Sequence, residues 1–142
     1  MSVRQLIRAY LATALALLAL DALWLTLMAD ALYRPAIGHL MAQRFALGPA
    51  LAFYAIYIAG VVLFAVAPGV ADRRWTAALA RGALLGLIAY ATYDLTNQAT
   101  LIRWPWIVTL ADLAWGTFLT AVAAAVGCRV ATGRSQNVPG DW

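Results

Sequence analysis

The fold class predicted for this chain is all-α, an integral membrane four-helix bundle, and three observations predict it. Of 142 residues, 65% are hydrophobic and only 11% charged, with a mean hydropathy of +0.80, far from the balance of a soluble domain. Four apolar stretches, 9–28, 45–71, 82–102 and 104–128, each carry at most one charged side chain. Each reaches the length of roughly 20 residues that takes a helix across a hydrocarbon core of about 30 Å. Proline and glycine stand near the expected helix ends, where a missing N–H is harmless.

The first helix is expected at about 7–28. Arg4 and Arg8 before an apolar run resemble the start of a secretory signal, but the run is too long for one and contains Asp21, so it reads as a retained span. The second helix is expected at about 47–67, with Pro49 in its first turn and Pro68-Gly69 at its end. The third, about 78–99, and the fourth, about 105–128 with Pro105 at its start, are separated by a few residues and must be antiparallel neighbours. Between the first and second lies the longest connection, 29–46, expected to be an external loop, a short interfacial helix or a lid over the outer mouth. The stretch 132–142, with Gly133, Pro139 and Gly140, reads as a flexible cytoplasmic tail. The whole of 1–131 is a single transmembrane domain.

Arginine placement gives the orientation. With the N-terminus inside, Arg4, Arg8, Arg73, Arg74, Arg81, Arg129 and Arg134 are cytoplasmic, against Arg34, Arg44 and Arg103 outside, so both termini are expected to be cytoplasmic. The net charge of +4 is then a topology signal and a contact with lipid head groups, not a nucleic-acid surface. The lipid bilayer is the first partner. Trp75, Trp104 and Trp106 are expected as interfacial anchors.

Asp21, Asp94 and Asp112 are each the sole charge in their stretch. An ionisable residue inside a membrane is costly and marks a functional site by default. Asp21 lies seven residues before the expected end of its helix and Asp112 seven residues after Pro105, each about 10 Å deep at the helical rise of 1.5 Å per residue. Asp94 lies at a similar level, so the three converge in the outer half of the bilayer. Steps of four and three place Gly82, Gly86, Tyr90, Asp94 and Asn97 on one stripe of the third helix, with Tyr93 beside it. Asp21 and Trp24 share a face of the first helix. Thr109, Asp112, Gly116, Thr120 and Ala123 share one of the fourth, and Tyr54 and Tyr57 come from the second. The candidate ligand or proton site is therefore Asp21, Asp94, Asp112, Asn97, Tyr90, Tyr93, Trp24 and Trp115.

The tetrapeptides at 21–24 and 112–115 both run Asp-x-x-Trp. In a chain rich in Leu and Ala this reads as coincidence; otherwise the two tryptophans would bracket a ligand from both sides.

Three carboxyl groups so placed would share protons. The bland alternative is that they hold helices together through Tyr90, Tyr93, Thr96, Asn97 and Thr109, or pair with Arg103 or Arg34. One His and one Cys exclude a Cys/His metal cluster and an internal disulfide. Cys128 reads as an apolar filler. No spacing specifies a hard-cation cage, a phosphate loop or a nucleophile elbow, so no metal site is expected and no cofactor is indicated.

The run Tyr90-Ala-Thr-Tyr-Asp-Leu-Thr-Asn97, followed by Trp104 and by Asp112-Leu-Ala-Trp115-Gly116, resembles a family of small predicted bacterial membrane proteins of unknown function. So do Asp21-x-x-Trp24-Leu25, Tyr33 with Ile37-Gly38, and Pro49-Ala50 with Phe53-Tyr54. The resemblance implies a four-span, multi-pass protein of the bacterial cytoplasmic (inner) membrane and supplies no activity. Three functional classes follow: binding or transport of a small cationic or apolar molecule or ion at the acidic-aromatic site; acid/base catalysis on a lipid-borne substrate; and an accessory or assembly subunit. The first is favoured, because acids and aromatics are present and a nucleophile, metal cluster or cofactor motif is not. Whether the chain forms a homodimer or joins a partner membrane protein stays open.

Overall fold

The computed structural model describes residues 1–133. The expected tail therefore lies outside the described residues from Arg134 onward. The described part is all helical, with four helices long and apolar enough to cross a membrane. They are built from α1 (Val3–Met28), α2 (Arg34–Ile37), α3 (Leu47–Val61), α4 (Ala67–Ala71), α5 (Trp75–Thr100) and α6 (Trp106–Thr132).

α1 starts earlier than expected because Ser2 caps it. The Ser2 side chain accepts from the Gln5 N–H while the Gln5 side chain accepts from the Ser2 N–H, a capping box that fixes the first turn. At its far end the expected loop 29–46 is largely not a loop. Helical geometry continues through a π turn (Ala29–Tyr33), α2 and a 3₁₀ turn (Gly38–Leu40). Nothing between Met28 and Ile37 breaks a helix, since Pro35 falls in the first turn of α2, where its absent N–H is not needed. A second π turn, Val62–Val66, joins α3 to α4 within one span, Leu47–Ala71, so Pro68 lies inside a helix that was expected to end there.

α6 is the centre of the bundle: half of its most apolar stretch is buried, more than in any other span. It packs on α5 along one side and α1 on another. The α5–α6 seam is glycine-lined for a steric reason. A Cβ on Gly82 would come within 2.6 Å of the Thr120 carbonyl, and one on Gly86 would collide with the Gly116 carbonyl and lie 2.7 Å from the Thr120 hydroxyl. Small residues let the two backbones approach this closely. Below the polar layer the core is apolar, with Ala9, Val61, Val62, Ala65, Val66, Ala124 and Cys128 forming one cluster and Leu17, Ile58, Leu119 and Ala123 another. Two tight turns connect the spans, each with one residue in the left-handed region, Arg73 (φ 52°) and Arg103 (φ 61°).

Candidate functional site

Each seam step of four residues on α5 is matched by one of about four on α6. Gly82 faces Thr120 and Ala124, Gly86 faces Gly116 and Thr120, and the Tyr90 ring rests against Gly116, where a Cβ would overlap it. Beyond this level Gln98 bonds Thr109, whose hydroxyl donates to Oε1 at 3.0 Å. Between these two levels the same register brings Asp94 of α5 to the level of Asp112 on the facing side of α6.

The three aspartates are buried, Asp21 at 8%, Asp94 at 0% and Asp112 at 7% exposure. Asp21 accepts from the Tyr54 hydroxyl at 2.5 Å and from Trp115 Nε1–H at 3.1 Å. Asp112 accepts from the Tyr33 hydroxyl at 2.5 Å, and Tyr33 in turn accepts from Trp24 Nε1–H at 2.8 Å. Neither oxygen of Asp94 has a donor partner. Among the described residues no arginine or histidine lies within ion-pair distance of any of the three; Arg34 pairs with Asp30 on the surface instead. The expected alternative of an Arg103 or Arg34 partner is therefore absent.

Magnitudes decide what this arrangement tolerates. Two full charges about 4 Å apart repel by about 4 kcal/mol at an effective dielectric of about 20. A hydrogen bond to a charged group returns about 1.5–3 kcal/mol, and Asp94 has none. Two carboxylates facing each other at that level would be stabilised by a proton or a cation between them.

Asp21 and Asp112 border a cavity of about 340 Å³ lined also by Trp24, Trp115, Tyr33, Tyr54, Tyr90, Tyr93 and Trp104, with Ile37 at the end of α2 and Met41 beyond it. The 29–46 connection thus roofs the site. A second cavity of about 310 Å³ touches the same Tyr90, Tyr93 and Asp112 from the side of Phe53, Tyr57 and Ala89. α3 is largely exposed along this stretch.

The helical phase explains why Tyr33 escapes sequence reading. At about 100° per residue, Tyr33 in a regular helix would point about 120° away from Asp21. The π turn accommodates one extra residue, which sets the phase back to within about 20° of Asp21. Tyr54 was visible on its helix face, but its carboxylate partner was not. Gln98 gave no signal beyond lying one residue from Asn97.

Several expectations need correction. Trp104 is not a lipid-facing anchor: it is 6% exposed, donates Nε1–H to the Thr109 hydroxyl at 3.1 Å, and its carbonyl accepts from Gln98 Nε2 at 2.9 Å. Trp106 and Trp75 are exposed, and the Arg129 guanidinium lies 3.9 Å from the Trp75 ring centroid. Trp24 and Trp115 do not bracket a space; they stack on each other, centroids 4.5 Å apart and planes 7° apart. Asp21 and Asp112 border the same cavity but are held by different donors, Asp21 by Tyr54 and Trp115 and Asp112 by Tyr33. Asn97 is not among the residues lining the cavity.

A family model described as "Predicted membrane protein (DUF2177)" matches residues 6–129, nearly the whole described bundle. The chain belongs to this family. It is a multi-pass membrane protein that contacts lipid, and the family has no established function. No curated protein and no solved structure matches the chain.

Proposed function

We propose that this protein binds a small monovalent organic cation in the acidic-aromatic cavity, as a binding or transport protein of the bacterial inner membrane with the cavity facing outward and both termini cytoplasmic. The single observation that carries the reading is that the cavity wall holds two buried carboxyls, Asp21 and Asp112, without a cationic side chain in reach, among the rings of Tyr54, Tyr90, Tyr93 and Trp104. Carboxylates supply the charge, and aromatic faces attract an alkylammonium that has left water. The volume suits a molecule of small-metabolite size. Isothermal titration of the purified protein with tetramethylammonium and larger tetraalkylammonium ions tests it. Saturable binding that weakens at least about tenfold in Asp112→Asn, the equivalent of about 1.4 kcal/mol, is the expected outcome; no heat from any member of the series refutes the reading.

A second reading is supported by the Asp94–Asp112 pair itself. A protonated and an unprotonated carboxyl side by side can act as general acid and base on a lipid-borne substrate, which would approach from the cavity at Phe53 and Tyr57. Lipid extracts of cells with and without the protein would then differ by a defined product, and identical extracts remove this reading.

A further inference from the structure

The α5–α6 seam sets two acids at the same level, Asp94 and Asp112. Three features set this pair apart from a cluster of acids at a surface. Asp94 is fully buried and neither of its oxygens has a donor. The α5–α6 register sets it level with another carboxyl, Asp112. That second carboxyl, Asp112, borders both cavities, so an occupant of either meets one end of the pair.

We propose that Asp94 and Asp112 form a proton-binding site that holds one proton in the empty protein and releases it when a monovalent cation enters, making binding a one-for-one exchange of cation for proton. This rests on the cavity being a cation site. The balance is simple: a carboxylic acid and a carboxylate sharing one proton take up one cation and become two carboxylates, one proton leaves to water, and the net charge of the site is unchanged. The titratable groups around the pair are Asp21 of α1, Tyr33 of the π turn, and Tyr90 and Tyr93 of α5, with Tyr54 of α3 bonded to Asp21. The tyrosine hydroxyls are neutral donors. Asp21 is held by two donors of its own, which leaves the Asp94–Asp112 pair as the place where a proton replaces a missing donor. Acid therefore competes with the cation, and apparent affinity falls by up to tenfold for each pH unit over the range in which the empty pair holds its one proton.

Two measurements on the full chain in detergent test this and can fail separately. Infrared spectroscopy of the ligand-free protein at neutral pH should show the carbonyl stretch of a protonated carboxyl, lost in Asp94→Asn and retained in Asp94→Glu. Absence of that band in the parent protein overturns the pair, whether or not any cation binds. A pH-indicator dye in weakly buffered solution should then report close to one proton released per tetramethylammonium bound, none in Asp94→Asn, and recovery in Asp94→Glu. Binding without proton release overturns the exchange while leaving the cation site standing. The band without any cation binding refutes the cation reading and the exchange, and leaves the shared proton. Should Asp94→Asn not fold, Asp112→Asn gives the same infrared readout from the other partner.

Discussion

Deleting Ala31 is expected to be harmless, although it removes a residue from the middle of a helical segment that forms the roof of the site. The π turn Ala29–Tyr33 behaves as an α-helix with one residue inserted, so removing one residue should convert it to a regular turn. The spacing from Asp21 to Tyr33 then becomes eleven residues, about 20° out of phase at 100° per residue, the alignment that the π turn already provides. Ala31 is exposed, so its loss opens no cavity. The reference for failure is Tyr33→Phe, which removes a hydroxyl that donates to Asp112 and accepts from Trp24. A charged and a neutral hydrogen bond together are worth about 2–4 kcal/mol; because Tyr33 is only half-buried, water re-partners part of this and about 1–2 kcal/mol remains. Thermal unfolding in detergent, followed by tryptophan fluorescence, should place the Ala31 deletion within about 1 kcal/mol of the parent, and Tyr33→Phe clearly below it. Inserting an alanine after Ala31 instead turns Tyr33 a further 100° away and should cost at least as much as Tyr33→Phe. A deletion as damaging as Tyr33→Phe would refute the phase argument.

Two further outcomes follow from the helix contacts. Gly116→Ala drives a methyl into the Tyr90 ring and should destabilise by about 1–3 kcal/mol as an overpacked site, whereas Gly60→Ala, with nothing within 4 Å, should be neutral or slightly stabilising in the same unfolding assay. Arg103 occupies a left-handed conformation that costs a residue with a Cβ about 1–2 kcal/mol; Arg103→Gly should leave stability unchanged or raise it by up to about 1 kcal/mol, and a loss larger than that would reveal an ionic partner the structure does not contain.

How much of this was legible in the sequence depends on whether local periodicity survived intact. The α5–α6 seam was readable because both helices are regular α-helix from Gly82 to Asp94 and from Thr109 to Ala123, so steps of four kept Gly86, Tyr90 and Asp94 on one face and Asp112, Gly116 and Thr120 on the other. The roof was not readable, because the π turn breaks the period between Trp24 and Tyr33 and no residue type announces a π turn. Trp104 was misplaced for a different reason. A tryptophan beside Arg103 and Pro105 has the composition of an interfacial anchor; only the long-range partners, Gln98 and Thr109, draw it inward. Gln98, next to Asn97, was not singled out because only its longer side chain reaches across the turn to Thr109 and the Trp104 carbonyl.

The Asp-x-x-Trp echo acquires a structural meaning from the antiparallel packing of α1 and α6. Two antiparallel helices bearing the same motif put each tryptophan at the level of the other's aspartate, provided the motifs meet, and the 4.5 Å stacking of Trp24 on Trp115 is that meeting. The two halves are then served unequally: Trp115 reaches Asp21 directly, whereas Trp24 reaches Asp112 only through the Tyr33 hydroxyl. Double-mutant cycles separate the two arrangements. Asp21→Asn with Trp115→Phe should show a coupling of about 1–2 kcal/mol in unfolding free energy, the worth of one buried hydrogen bond, and this coupling should persist in a Tyr33→Phe background. Asp112→Asn with Trp24→Phe should couple more weakly in the parent and not at all once Tyr33 is phenylalanine. An Asp112–Trp24 coupling that is equal in both backgrounds would mean that Trp24 acts on Asp112 through the stacked rings rather than through its N–H group, and the relay through Tyr33 would lose its role in holding the site.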